Sequence, residues 1–243
     1  MGIYGKFKMK HIAIVTGASR GIGLAISQIL LSLNYVVYGV CRNPENCNYH
    51  HPEFHLLKGD LSNPNTIPNF LNQIPNIDNI SILVNNAGFS HFAPIEEFSP
   101  NKITEMTQVL LTSPMLLTNS LTRILKKNEG RIFFIGSISG IEISPWGNVY
   151  ASLKAGLHQF ARLLFDELRK YSVKVHLVIP DITKTEFYEQ LNIEPDADPK
   201  SFLLPEQIAN VIKFILTDSA GQVIPEILVR PEVFKIKRKK FEK

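Results

Sequence analysis

With 243 residues, 44% of them hydrophobic and 20% charged, the chain can bury one sizeable core, and no composition break or Gly/Ser linker divides it. The formal charge of +4 sits at the ends, on Lys6, Lys8, Lys10 and the six basic residues of 235–243, so the body carries an excess of acid and offers no basic groove for nucleic acid. Two cysteines without Cys-x-x-Cys spacing, seven scattered histidines and no apolar run of ~18 residues argue against a disulfide framework, a metal centre and a membrane span.

The run 12–15, Ile-Ala-Ile-Val, reads as a buried strand. It leads into Thr16-Gly17-Ala18-Ser19-Arg20-Gly21-Ile22-Gly23, after which Ile22, Ile26, Ile29, Leu30 and Leu33 recur at helical spacing. Strand, glycine turn and helix in that order suit a pyrophosphate. Gly17 allows a sharp turn, Gly21 lets backbone approach the phosphates, and Gly23 lets the helix pack close to the sheet. Ser19, Arg20 and Ile22 complete that wall, and the helix N-terminus offers N–H groups and partial positive charge. The spacing Gly-x-x-x-Gly-x-Gly departs from the commoner Gly-x-Gly-x-x-Gly, so a tight turn without a ligand stays open on this motif alone.

Residues 36–40 read as a second strand, followed by Cys41 and Arg42 where an NAD site would place a carboxylate for the ribose. An arginine there, with Arg20 in the turn, suits a 2′-phosphate and favours NADP (NADPH); the alternative makes Arg42 a solvated loop residue and gives the ribose to Glu45. A third strand, 54–58, ends near Asp60 and Leu61; Asp60 can accept from an adenine amino group or cap a turn. The stretch 64–79 reads as a short helix with Ile67, Phe70, Leu71 and Ile74 on one face.

A fourth strand, 80–84, ends in Asn85-Asn86-Ala87-Gly88, whose small residues let a ligand lie against the backbone. Residues 101–128 read as one long helix that Pro114 kinks, leaving the Leu110 carbonyl without its donor. Strand 131–135 precedes Gly136-Ser137-Ile138-Ser139-Gly140. A helix beginning near Tyr150 and reaching about 171 puts Lys154 on the face of Tyr150, where an ammonium lowers the phenol pKa toward use as an acid or base. Strand 173–179 ends at Pro180. The acidic stretch 186–202, with Phe187, Tyr188 and Leu191, reads as a mobile lid, and a helix at 205–216 and a strand at 226–229 close the fold.

Thr-Gly-x-x-x-Gly-x-Gly at 16–23, Asn-Asn-Ala-Gly at 85–88, Ser137, Tyr150-x-x-x-Lys154 and a proline-led loop at Pro180, in that order, resemble the classical short-chain dehydrogenase/reductase family over about residues 11–230. The resemblance implies an α/β, Rossmann-like, doubly wound parallel sheet of seven strands with helices on both faces, in a single domain. The expected division is 1–10 as a basic extension, 11–230 as the NADP-binding domain and 231–243 as a solvated basic tail.

The resemblance also implies roles. Tyr150 is the general acid in reduction and base in oxidation, Lys154 lowers its pKa and holds the nicotinamide ribose, and Ser137 binds the carbonyl oxygen. Asn86, Ala87 and Gly88 line the cofactor channel, and Pro180, Ile182 and Thr185 hold the carboxamide. Leu110 stands where the family has an asparagine whose carbonyl orders a water, and Asp181 where it prefers glycine. Expected partners are a small carbonyl or alcohol substrate, apolar or aromatic on the strength of Phe89, Phe92, Trp146 and Tyr188 or else a 3-oxoacyl thioester, and further copies of the chain, as a dimer or tetramer through a face of Ala151, Ala155, Gly156 and Leu157, with neither nucleic acid nor membrane, in the cytoplasm. An NADP-binding regulator that keeps the fold is the alternative to an enzyme, and binding of nucleic acid through the termini is a third.

Overall fold

The computed structural model describes residues 11–143, 145–188, 193–218 and 221–238. Strands β1 (Ile12–Thr16), β2 (Val36–Cys41), β3 (Phe54–Lys58), β4 (Ile80–Asn85), β5 (Arg131–Ile135), β6 (Lys174–Pro180) and β8 (Glu226–Val229) form one parallel sheet in the order β3-β2-β1-β4-β5-β6-β8.

Alternation along β1 explains the two cores. Ile12 and Ile14 face one side, with Leu83, Ile132, Phe134 and Leu177, under helices α4 (Ser113–Lys127) and α5 (Asn148–Leu168). Ala13 and Val15 face the other, with Val84, Phe133 and Ile135, under α1 (Gly21–Ser32) and α6 (Pro205–Thr217). Both faces being covered, the strands read as apolar runs without a polar side. The doubly wound sheet of seven parallel strands is the architecture expected, and its direction of winding reverses between β1 and β4.

Between β3 and β4 a 3₁₀ turn, Pro64–Thr66, runs into a five-residue α2 (Ile67–Leu71), with Ile67, Phe70, Leu71 and Ile74 buried as read. The long helix differs from expectation. Residues 100–127 form α3 (Pro100–Thr107), a π-helical turn (Gln108–Thr112) and α4, with the Ser113 N–H reaching back five residues to the Gln108 carbonyl. The proline interruption is thus absorbed as one widened turn just before Pro114, which sits in the first turn of α4 where its missing N–H costs little. Met106 and Leu110 face the site, whereas Leu117, Leu121 and Leu125 face the sheet.

The basic tail is not wholly solvated. A short β9 (Ile236–Arg238) pairs antiparallel with β7 (Ile193–Pro195), and Lys235 and Lys237 meet Asp198 at 2.8 Å and Glu194 at 3.1 Å. Acidic lid and basic tail, read separately from the sequence, complement each other. Leu191 lies outside the described residues.

Candidate functional site

The ends of β1 and β4 are latched together at the point where winding reverses. The buried Thr16 hydroxyl donates to the Val84 carbonyl at 3.3 Å and accepts from the Asn86 and Ala87 N–H groups at 2.9 and 3.0 Å. Asn86 Nδ2 donates to the Thr16 and Gly17 carbonyls at 2.9 and 3.3 Å. Gly17 has φ +66°, and a Cβ on Gly23 would stand 2.1 Å from the Gly17 carbonyl oxygen, so the turn admits no side chain at either place. Helix α1 starts with no side-chain cap among the described residues and no acid in its first turn, which leaves its N–H groups available at the cleft, as a phosphate site requires.

A cleft of about 260 Å³ opens there, lined among others by Gly17, Ser19, Arg20, Gly21, Ile22, Gly23, Cys41, Arg42, Asp60, Leu61, Asn86, Ala87 and Gly88. Arg20 and Arg42 are exposed cations on its wall, and Glu45 is not among the lining residues. Cys41 is buried, and burial pushes its thiol up against the opposing pull of a hydrogen bond with the Ser19 side chain. Asp60 Oδ1 is taken by the Ser62 N–H and hydroxyl at 2.9 and 2.8 Å, which gives it the turn role while it still lines the cleft.

The same cleft continues to Ser137, Tyr150 and Lys154. Ser137 caps the 3₁₀ turn after β5, its hydroxyl accepting from the Ser139 N–H at 3.2 Å. Tyr150 and Lys154 share one face of α5, and Lys154 Nζ donates to the Ile135 carbonyl at 2.8 Å. Tyr150 is buried among Met106, Leu110, Phe92 and Phe187, with the Phe92 and Phe187 ring centres at 5.8 and 5.9 Å from its own.

That burial corrects the expectation of a depressed phenol. Tyr150 is pushed up to about 12 by desolvation, with the hydrogen bond from Ser137 pulling the other way, and Lys154 falls to about 8 because its ammonium is also buried. Its Nζ stands 5.9 Å from the Tyr150 ring centre and is turned to a main-chain carbonyl.

The loop after β6 brings Pro180 and Thr185 to the cleft but not Ile182, whose side chain is buried and whose N–H is taken by Asp181 Oδ1 at 2.8 Å. Aspartate in place of the usual glycine thus closes that N–H with its own carboxylate. The Asp181 carboxyl is raised by burial, partly offset by that bond and by Arg230, which is ion-paired to Glu142 nearby. Sequence reasoning missed three contributors: the Thr16 latch, the wall residues Val109 and Thr183, and His158, which accepts from the Ser137 N–H. Thr16 opens the glycine motif and His158 stands four residues past Lys154 on the same helical face, so both left a signal; Val109 and Thr183 left none.

An uncapped helix N-terminus at the reversal of a doubly wound parallel sheet defines a dinucleotide-binding α/β protein. Comparison with known proteins narrows the class: the chain belongs to the short-chain dehydrogenase family, whose model matches residues 11–196. It is therefore an NAD(P)-dependent oxidoreductase acting on carbonyl or alcohol groups. A 3-oxoacyl-[acyl-carrier-protein] reductase of Aquifex aeolicus (strain VF5) is 31% identical over 237 residues, covering 89% of this chain and 94% of that relative. A metagenomic short-chain oxidoreductase solved in complex with NADP superposes with TM-score 0.77 at 29% identity, over 92% of this chain and 98% of its own. An alcohol dehydrogenase from the archaeon Thermococcus sibiricus, complexed with 5-hydroxy-NADP, shares the fold with TM-score 0.81 at 22% identity, over 96% and 100%. No described helix is long and apolar enough to cross a membrane.

Proposed function

We propose that the chain is an NADPH-dependent reductase of a ketone or aldehyde that runs in reverse as an alcohol dehydrogenase. The observation that carries this is one continuous cleft, joining an uncapped helix N-terminus flanked by Arg20 and Arg42 to Ser137, Tyr150 and Lys154. Gly17, Ser19, Gly21, Ile22 and Gly23 would hold the pyrophosphate; Arg20, Arg42 and Cys41 the adenosine ribose; Asp60 and Leu61 the adenine; Asn86, Ala87, Gly88, Pro180 and Thr185 the nicotinamide half. When bound, the dinucleotide supplies the hydride.

The chain supplies the proton and the geometry. Tyr150 gives its hydroxyl proton to the carbonyl oxygen, and Ser137 donates a hydrogen bond to that oxygen. A phenol at about 12 is a strong acceptor once deprotonated, so the phenolate left behind needs the Lys154 ammonium, which is retained below about pH 8. Phe92 and Phe187 pack against the Tyr150 ring and keep bulk water from it. Pro114 withholds the N–H that an unbroken α-helix would give the Leu110 carbonyl, and that carbonyl would hold the proton-relay water of the family.

Phe89, Phe187 and Tyr188 line the cleft and Phe92 packs beside Tyr150, which supports an apolar or aromatic substrate, while Trp146, 58% exposed, is not among the lining residues; the Aquifex relative supports a 3-oxoacyl thioester. The protein works in the cytoplasm as a homodimer or homotetramer. Leu157, buried at 2% exposure under the sheet, leaves the proposed contact face; Leu163, 62% exposed on the same helix, replaces it. The test is NADPH oxidation across aliphatic, aromatic and 3-oxoacyl thioester substrates. Turnover of at least one class is expected, and none with NADPH tightly bound overturns the reading. That second outcome belongs to an NADP-binding regulator, a reading favoured by Leu110 and the buried, raised Tyr150.

A further inference from the structure

His158 lies one turn beyond Lys154 on α5 and is 1% exposed. Its Nε2 accepts from the Ser137 main-chain N–H at 3.2 Å. The loop after β5 is shaped around the ring: a Cβ on Gly136 would stand 2.3 Å from Nε2, and one on Gly140 2.6 Å from Cε1. Those two glycines and the histidine form one fitted unit.

Because Nε2 accepts, the ring proton belongs on Nδ1, and Nδ1 is buried with no hydrogen-bond partner among the described residues. A buried N–H left unpaired costs stability, so a histidine here is a poor choice for packing alone; an aliphatic side chain fills the space without that cost. What the imidazole adds is an acceptor facing Ser137. Burial, with Lys154 and Arg162 on its own helix outweighing Glu226 on β8, lowers the ring to about 4 and keeps that acceptor free of a proton at neutral pH. Ser137 is then pinned through its main chain: the Gly136 N–H donates to the Val178 carbonyl at 2.7 Å and the Ser137 N–H to His158, leaving the hydroxyl beside Tyr150.

We infer that His158 is a positioning residue for the reaction, its Nε2 holding the Ser137 main chain so that the Ser137 hydroxyl meets the substrate oxygen together with Tyr150. This rests on the reductase reading above.

Two measurements on the full chain test it. Nitrogen NMR of wild-type His158 at neutral pH should find Nδ1 protonated and Nε2 bare; a proton on Nε2 overturns the inference, whatever the turnover. In kinetics His158→Leu should lose about tenfold in kcat, with NADPH affinity held within about twofold, while His158→Gln, whose amide oxygen falls near the Nε2 position, should recover most of the loss. Wild-type kcat in the leucine variant, or equal losses in both variants, assigns His158 to packing and overturns the inference. If His158→Leu does not fold, the tautomer decides. A wild-type chain that reduces no carbonyl sinks the reductase reading instead and leaves the His158 to Ser137 bond testable by NMR.

Discussion

Replacing Arg42 by alanine separates an NADPH site from an NADH site. Arg20 and Arg42 are both exposed on the wall of the cleft, and the strand end beside them carries Cys41 rather than a carboxylate. A charge-assisted hydrogen bond to a phosphate contributes about 1.5–3 kcal/mol when desolvated, and solvent at an exposed guanidinium reduces that to about 1–1.5 kcal/mol, or roughly 5- to 12-fold in affinity. The double alanine variant should therefore lose about 30- to 150-fold in NADPH binding if the two contributions add. NADH, which has no 2′-phosphate, should lose less than about twofold. Quenching titrations with both dinucleotides at fixed ionic strength read this directly. Parallel losses for the two, or none, refute the reasoning and return the ribose to another group.

Other consequences follow from particular contacts. His158 and His176 are buried with ring pKa values lowered to about 4, below the unfolded value near 6.5, so both are neutral in the fold and take up protons on unfolding. Their contribution is present above pH 6.5 and is lost as pH falls toward 4, by up to about 3 kcal/mol each; a urea midpoint that stays flat from pH 6.5 to 4.5 contradicts this. Gly23→Ala forces the Gly17 carbonyl aside, so dinucleotide affinity should fall at least tenfold while the far-ultraviolet spectrum stays unchanged, and wild-type affinity refutes the close packing. Asp181→Gly frees the Ile182 N–H for the carboxamide and should tighten NADPH severalfold; weaker binding would mean that the carboxylate supports the loop. Deleting 235–243 removes β9 and two solvent-exposed ion pairs that add little to stability, so the melting temperature should barely move while residues 193–200 become more sensitive to protease; equal cleavage rates contradict the pairing.

The apolar runs of β1, β2, β4 and β5 were legible because a strand buried on both faces leaves a continuous hydrophobic signature, and the glycine motif was legible because its backbone tolerates no substitute. Less local features escaped. Pro114 announces a missing donor but not whether the helix bends or widens, since packing of Met106 and Leu110 toward the site decides that. The raised Tyr150 pKa was hidden because the spacing of Tyr150 and Lys154 says nothing of Phe92 and Phe187, which come from distant segments to bury the phenol. The loss of Ile182 from the cleft depends on one aspartate side chain folding back on its neighbour, and the pairing of β7 with β9 joins segments more than forty residues apart.

In the reaction proposed, the Tyr150 hydroxyl delivers the proton. Steady-state turnover of Tyr150→Phe, with NADPH affinity measured on the same preparation, tests it most directly. A fall in kcat of about a thousandfold or more with affinity within about threefold of wild type is the result predicted; undiminished turnover by the phenylalanine variant would contradict it.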